Sequence, residues 1–164
     1  MTTKTASDDK PNSVYNRPVV INICNGMTNI PVTHNISNDS INQLKNRSYD
    51  IIVDIGCGDG SLTKLLANQL AHNQLIGIDC VTDMISYARK HNSLMIDDKH
   101  DNNNRIIEYV VQDMSVDWPA MCPRIRQLES RVDLIFSNYA LQYIPDKQKL
   151  MQIFDRLLAT GAIN

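Results

Sequence analysis

Seven residues carry most of the chemistry this chain could do: Asp54, Gly56, Gly58, Gly60, Asp79, Asp113 and Asn138. The first four form D-x-G-x-G-x-G inside "IIVDIGCGDGSLTKLLA". Glycines at alternate positions let a loop turn sharply at positive φ and let a ligand touch the backbone. Free N–H groups at the start of a following helix favour an anionic group. The loop therefore reads as a seat for a close, negatively charged guest, with a plain strand-to-helix turn as the alternative. A dinucleotide fingerprint would need glycine where Ser61 stands, and a Walker loop would need a Gly-Lys-Ser/Thr that neither Gly56 nor Gly60 supplies. Asp79 follows Gly60 by 19 residues, near the spacing of about 20 at which a carboxylate reaches a ribose in dinucleotide folds. For Asp79 and Asp113 alike, the simpler alternative is a helix N-cap.

These groups meet only if strands deliver them to one edge of a sheet. Ile51, Ile52 and Val53 make a β-branched run, after which Leu62, Leu65, Leu66 and Leu70 recur at helical spacing. Residues 75–78 read as a second strand closed by Asp79, and Met84, Ile85 and Ala88 mark a second helix ending near His91. A third strand is predicted over 105–113, a short helical stretch over 125–128, and a fourth strand over 132–138. Leu150, Ile153, Phe154, Leu157 and Leu158 then line one face of a last helix, with Gly161 as its C-cap. Strands alternating with helices predict an α/β fold: a Rossmann-like, doubly wound parallel sheet of order 3-2-1-4, counted from the strand at 51. Ligands bind such sheets beyond the carboxyl ends of the strands. In that order the fourth strand is a bare apolar edge, so association with another chain through it is expected.

Residues 1–48 hold nine asparagines and no helical period, and read as a polar N-terminal extension. Within them, 19–23 suggests a short strand and 40–45 a helical turn. Residues 49–164 form the domain, since 164 residues suffice for one core. With 16 Lys+Arg against 18 Asp+Glu there is no basic stripe, which argues against a nucleic-acid partner. Cys24, Cys57, Cys80 and Cys122 form no C-x-x-C pair and read as free thiols. His34, His72, His91 and His100 lack ligand spacing, so no metal is expected. No secretory h-region or run of about 20 apolar residues occurs, so the reading is cytoplasmic, with no membrane partner.

The stretches "VDIGCGDGSLTKLLA", "LIGIDCVTDMISYARKH", "VVQDM", Trp118, "VDLIFSNYALQYIPD" and "LLATG" resemble the class I S-adenosylmethionine-dependent methyltransferases, nearest the arthropod juvenile hormone acid methyltransferase group. The resemblance covers about residues 49–161. It implies S-adenosylmethionine as cofactor and methyl transfer to a small molecule, a carboxylic acid such as a juvenile-hormone-like acid. By resemblance Gly56, Cys57, Gly58 and Gly60 wrap the methionine moiety, and Asp54 fixes the loop and the cofactor's amino group. Asp79 accepts the ribose hydroxyls with Cys80, and Met84 by one reading, beside the adenine; Asp113 and Met114 hold the adenine amino group, and Asn138 faces the amino end. Trp118, Gln142 and Tyr143 are the substrate-side candidates, Gln142-Tyr143 standing where the hormone-acid group carries His-Trp. No catalytic base is implied. The family would continue beyond residue 164 into further strands, so the expectation is the N-terminal part of such a domain. A non-catalytic cofactor-binding fragment, or a partner of a full-length methyltransferase, is the alternative.

Overall fold

The computed structural model describes residues 44–93 and 106–159, together with a strand at 19–23. Five strands form one parallel sheet: β1 (Val19–Ile23), β2 (Ser48–Ile55), β3 (Ala71–Asp79), β4 (Ile106–Val111) and β5 (Leu134–Asn138), in the order β1-β5-β2-β3-β4. The helices are α1 (Ser61–Gln69), α2 (Thr82–His91), the short α3 (Pro123–Arg126) and α4 (Lys147–Leu157). Single 3₁₀ turns stand at Trp118–Ala120 and Leu141–Tyr143.

The side-chain period of two in β2 sorts the core into two layers. Ile51, Val53 and Ile55 pack against Ile125 of α3 and against Leu150, Ile153, Phe154 and Leu157 of α4. Ile52, pointing the other way, packs with Ala67 of α1, Leu70, Leu75 and Leu134. Ile85 and Ala88 of α2 close the same side against Tyr109 and Cys57. Both faces are thus covered, as a parallel sheet requires. In α1 the buried residues are Thr63 and Ala67 while Leu65 is exposed, so the predicted leucine stripe is only partly the buried one.

The predicted order 3-2-1-4 is β4-β3-β2-β5 and stands. The bare edge does not. β1 pairs in parallel along the whole of β5, from Val19 opposite Leu134 to Ile23 opposite Asn138. Residues 19–23, read from sequence as part of an extension, are therefore a strand of the sheet, and the association expected through β5 loses its open edge. The third strand stops at Val111 rather than Asp113, the Gln112 amide turning to donate to the Asp79 carbonyl at 2.9 Å. At the opposite end of the sheet, Asp133 Oδ2 accepts from the amides of Asp50 and Ile51 at 2.6 and 3.1 Å, tying the start of β2 to that of β5. Asp146 caps α4 by accepting from the Lys149 amide at 2.9 Å. Leu158 ends α4, and the proposed cap Gly161 lies outside the described residues, as do positions 40–43 of the predicted helical turn.

The apolar face of α4 repeats at i, i+3, i+4 and i+7 and holds fully buried Phe154 at its centre. Phe154→Ala is expected to cost about 3–5 kcal/mol of stability, checked by urea unfolding.

Candidate functional site

Beyond the carboxyl end of β2 the chain turns through Gly56, Gly58 and Gly60 at φ 75°, 55° and 79°, a left-handed backbone suited to glycine. Gly56 is also closely covered: a Cβ there would lie 2.0 Å from that of Ala140. The amides of this loop are engaged by the protein. Gly56 and Cys57 donate to the Ile78 carbonyl at 2.7 and 3.0 Å, Gly58 to Asp79 Oδ2 at 2.9 Å, and Gly60 to the Cys57 carbonyl at 3.0 Å. Three of these N–H groups fasten the loop to the end of β3, and that of Gly60 closes the loop on itself.

Asp79 is the centre of this arrangement. Oδ2 takes the Gly58 amide and Oδ1 the Val81 amide, each at 2.9 Å. The Val81 bond is a turn before α2 rather than a cap on the helix interior. An ionised carboxylate offers about four acceptor positions, so roughly one on each oxygen is left for a guest. Asp113 accepts from the Ser115 amide at 2.8 Å, and hydrogen bonds from Ser115 hold its pKa below the ordinary carboxylate range. Asp54 faces the other way. It is buried beneath the loop and accepts from the Thr63 hydroxyl of α1 at 2.6 Å. Burial, opposed by the Thr63 bond and assisted by the charge of Asp79, pushes its pKa up to about 7.

A cavity of about 500 Å³ opens beside Asp79 and Asp113, within the size range of small-molecule sites. Ile55, Gly56, Ile78, Cys80 and Met114 also line it, as do Gln112, Ser115, Tyr139, Ala140, Tyr143, Ile144 and Pro145. Among the predicted residues, Gly56, Asp79, Cys80, Asp113, Met114 and Tyr143 converge there. Cys57 is buried against Ile85, Ala88 and Tyr109, where burial raises its thiol pKa, and Gly60 is buried under the Tyr109 hydroxyl. Gly58 reaches the site through Asp79, while Asn138, Gln142 and exposed Met84 lie outside the lining. Trp118 is also outside it: the ring packs on the α4 side of the core with the Arg156 guanidinium 5.5 Å from its centroid.

Sequence reasoning missed Ile55, Ile78, Gln112, Ser115, Tyr139, Ala140, Ile144 and Pro145. The first three flank predicted motif residues, so strand-end position alone could have nominated them. Gln112 is braced by accepting from the Cys122 amide at 2.7 Å and donating to the Asp113 carbonyl at 2.8 Å. Tyr139 has φ 56°, an uncommon backbone for a bulky residue, immediately after β5.

A family model describing a methyltransferase domain matches residues 46–163. The chain belongs to this methyltransferase family. It is 33% identical over 115 residues to a trans-aconitate 2-methyltransferase of Acidovorax sp. (strain JS42), covering 68% of this chain and 35% of that protein. It is 28% identical over 111 residues to the juvenile hormone acid O-methyltransferase of Bombyx mori, covering 66% of this chain and 34% of that one. The methyltransferase chain thus spans about a third of the length of these curated relatives. A Methanococcus maripaludis protein assigned to the S-adenosyl-L-methionine-dependent methyltransferases superimposes with TM-score 0.56 at 25% identity, covering 76% of this chain and 50% of that one. The cofactor of the family is S-adenosylmethionine. The cavity residues fit such a group: Asp79 has acceptor capacity to spare, and apolar Ile55, Ile78 and Met114 stand beside it. Among the described residues, no helix is long and apolar enough to cross a membrane.

Asp54 gives this methyltransferase domain a pH signature. Its folded pKa of about 7 lies above its ordinary 3.8, so the neutral form favours the fold. That contribution is complete below pH 3.8 and is lost as pH rises through about 7. Asp54→Asn, which keeps an acceptor for Thr63, is expected to remove this fall, roughly 3 kcal/mol of it between pH 5 and pH 8. Urea unfolding of both proteins at pH 5 and pH 8 checks it.

Proposed function

We propose that this chain is the cofactor-binding part of an S-adenosylmethionine-dependent enzyme that methylates the carboxylate of a small, apolar-bodied acid, of the juvenile-hormone-like class. The observation carrying this reading is the convergence of Asp79, Asp113 and the glycine loop on one cavity. Asp79 would accept the two ribose hydroxyls on its remaining acceptor positions, and Asp113 the adenine amino group, with Cys80 and Met114 flanking the ring. When bound, the cofactor supplies a methyl group activated by a sulfonium. A carboxylic acid with pKa about 4 is already ionised at neutral pH, so the residues around the acceptor need to orient it rather than remove a proton.

The acceptor class follows from the apolar part of the cavity lining. Tyr139, Tyr143, Ile144 and Pro145 form an aromatic and aliphatic surface, and no described lining residue is Lys, Arg or His. That wall suits an apolar body with one carboxylate better than a polyacid such as the trans-aconitate in the name of the Acidovorax relative. A second reading, cofactor binding without turnover, is favoured by Tyr143 standing 80% exposed on the acceptor side.

Calorimetric titration with S-adenosylhomocysteine tests the site. The native chain is expected to bind, and Asp79→Ala to weaken binding at least about 10-fold, the equivalent of one charge-assisted hydrogen bond. Binding that the substitution leaves unchanged would remove Asp79 from the site. A methyl-transfer assay with long-chain monoacids then separates the two readings.

A further inference from the structure

Tyr109 is a buried phenol on β4, and its ring crosses two glycines on its way to the loop. A Cβ on Gly77 would lie 2.7 Å from the ring, and a Cβ on Gly60 would lie 2.6 Å from the hydroxyl. The hydroxyl donates toward the Asn92 carbonyl at 2.9 Å and the Gly60 carbonyl at 3.3 Å. Burial raises the phenol's pKa, so the group remains a donor through neutral pH. Asn92, the C-cap of α2, adds a second tie: its Nδ2 donates to the Asp59 carbonyl at 2.8 Å. Arg89 on the same helix grips the Tyr109 carbonyl through Nε and Nη2 at 3.1 and 2.7 Å. One end of the glycine loop is thus fixed by Asp79 and the other by β4 and the end of α2.

We propose that Tyr109 and Asn92 are positioning residues for the cofactor loop, holding residues 59 and 60 against the end of α2 so that Gly58 stays presented to Asp79. The inference rests on the reading of that loop as part of the cofactor site. Neither side chain lines the cavity, so each acts through the backbone it holds.

The test compares Tyr109→Phe, which keeps the ring and removes the hydroxyl, with Ile153→Val, which loosens the opposite core layer. Calorimetry with S-adenosylhomocysteine and amide hydrogen exchange are read on both. Tyr109→Phe is expected to bind about 3–10-fold more weakly, and Ile153→Val to bind as the native chain does. Affinity of Tyr109→Phe within twofold of native overturns the proposal, as does an equal loss in Ile153→Val. If the native chain itself does not bind, the cofactor reading fails separately. The positioning role is then decided by exchange at the Gly58 and Gly60 amides: acceleration in Tyr109→Phe supports it, and unchanged rates overturn it. Asn92→Ala carries the same readouts should Tyr109→Phe fail to fold.

Discussion

The carboxylate of Asp79 is the contact on which the cavity depends. It ends β3, takes the amide of Gly58 on one oxygen and that of Val81 on the other, and so joins the turn after β2 to the start of α2. Two loops that lie far apart in sequence are held at one point by a single charged group. The arrangement requires left-handed backbone at Gly56, Gly58 and Gly60, because only then can the turn bring its amides back onto Ile78 and Asp79. A side chain at Gly56 would meet Ala140, and one at Gly60 would meet Tyr109, so two of these glycines answer to packing as well as to φ. The loop is a preorganised wall in which the amides of Gly56, Cys57, Gly58 and Gly60 are spent internally.

Electrostatics follow from that economy. Three carboxylates stand near the carboxyl ends of β2, β3 and β4. Amide donors support Asp79 and Asp113, which border the cavity, while Asp54 has the Thr63 hydroxyl and is sealed from water. With no cation among the described lining residues, the cavity favours a guest that brings positive charge or hydrogen-bond donors. A sulfonium nucleoside with an amino group and a ribose diol has both.

The sheet and the acids at its strand ends were legible in sequence because each depends on local pattern. A β-branched run marks β2 and short apolar runs mark β3 and β5, and an acidic or amide residue closes each. The remainder depended on contacts between distant segments. Gly77 gave no sign that it clears room for the Tyr109 ring, since that requires knowing that β3 and β4 are neighbours in register. The pairing of Val19–Ile23 with β5 joins positions more than a hundred residues apart. Trp118 was a reasonable pocket candidate by type, yet the turn that carries it faces α4 and Arg156. Met84 shares helical spacing with Ile85 and Ala88, but only the latter two are buried and Met84 is exposed.

The two sides of the cavity differ in how firmly they are held, and the difference bears on what each can do. One side is built on strand ends, with Gln112 pinned between Cys122 and Asp113 and Ser137 bonded across to the Ile55 carbonyl at 2.8 Å. The other side is a turn, Leu141–Tyr143, whose carbonyl at Leu141 and the next at Ile144 are both gripped by the Lys147 ammonium. That grip fixes the backbone while leaving the Tyr143 ring in solvent. In the proposed reading the strand-end side holds the methyl donor, and the side with exposed aromatic side chains accommodates the acceptor by apolar contact, which is nondirectional. Orientation of the acceptor then depends on how much of that aromatic surface becomes covered when it binds. A larger apolar body covers more of Tyr139 and Tyr143, and by this argument is held in a narrower range of poses than a small polar acid.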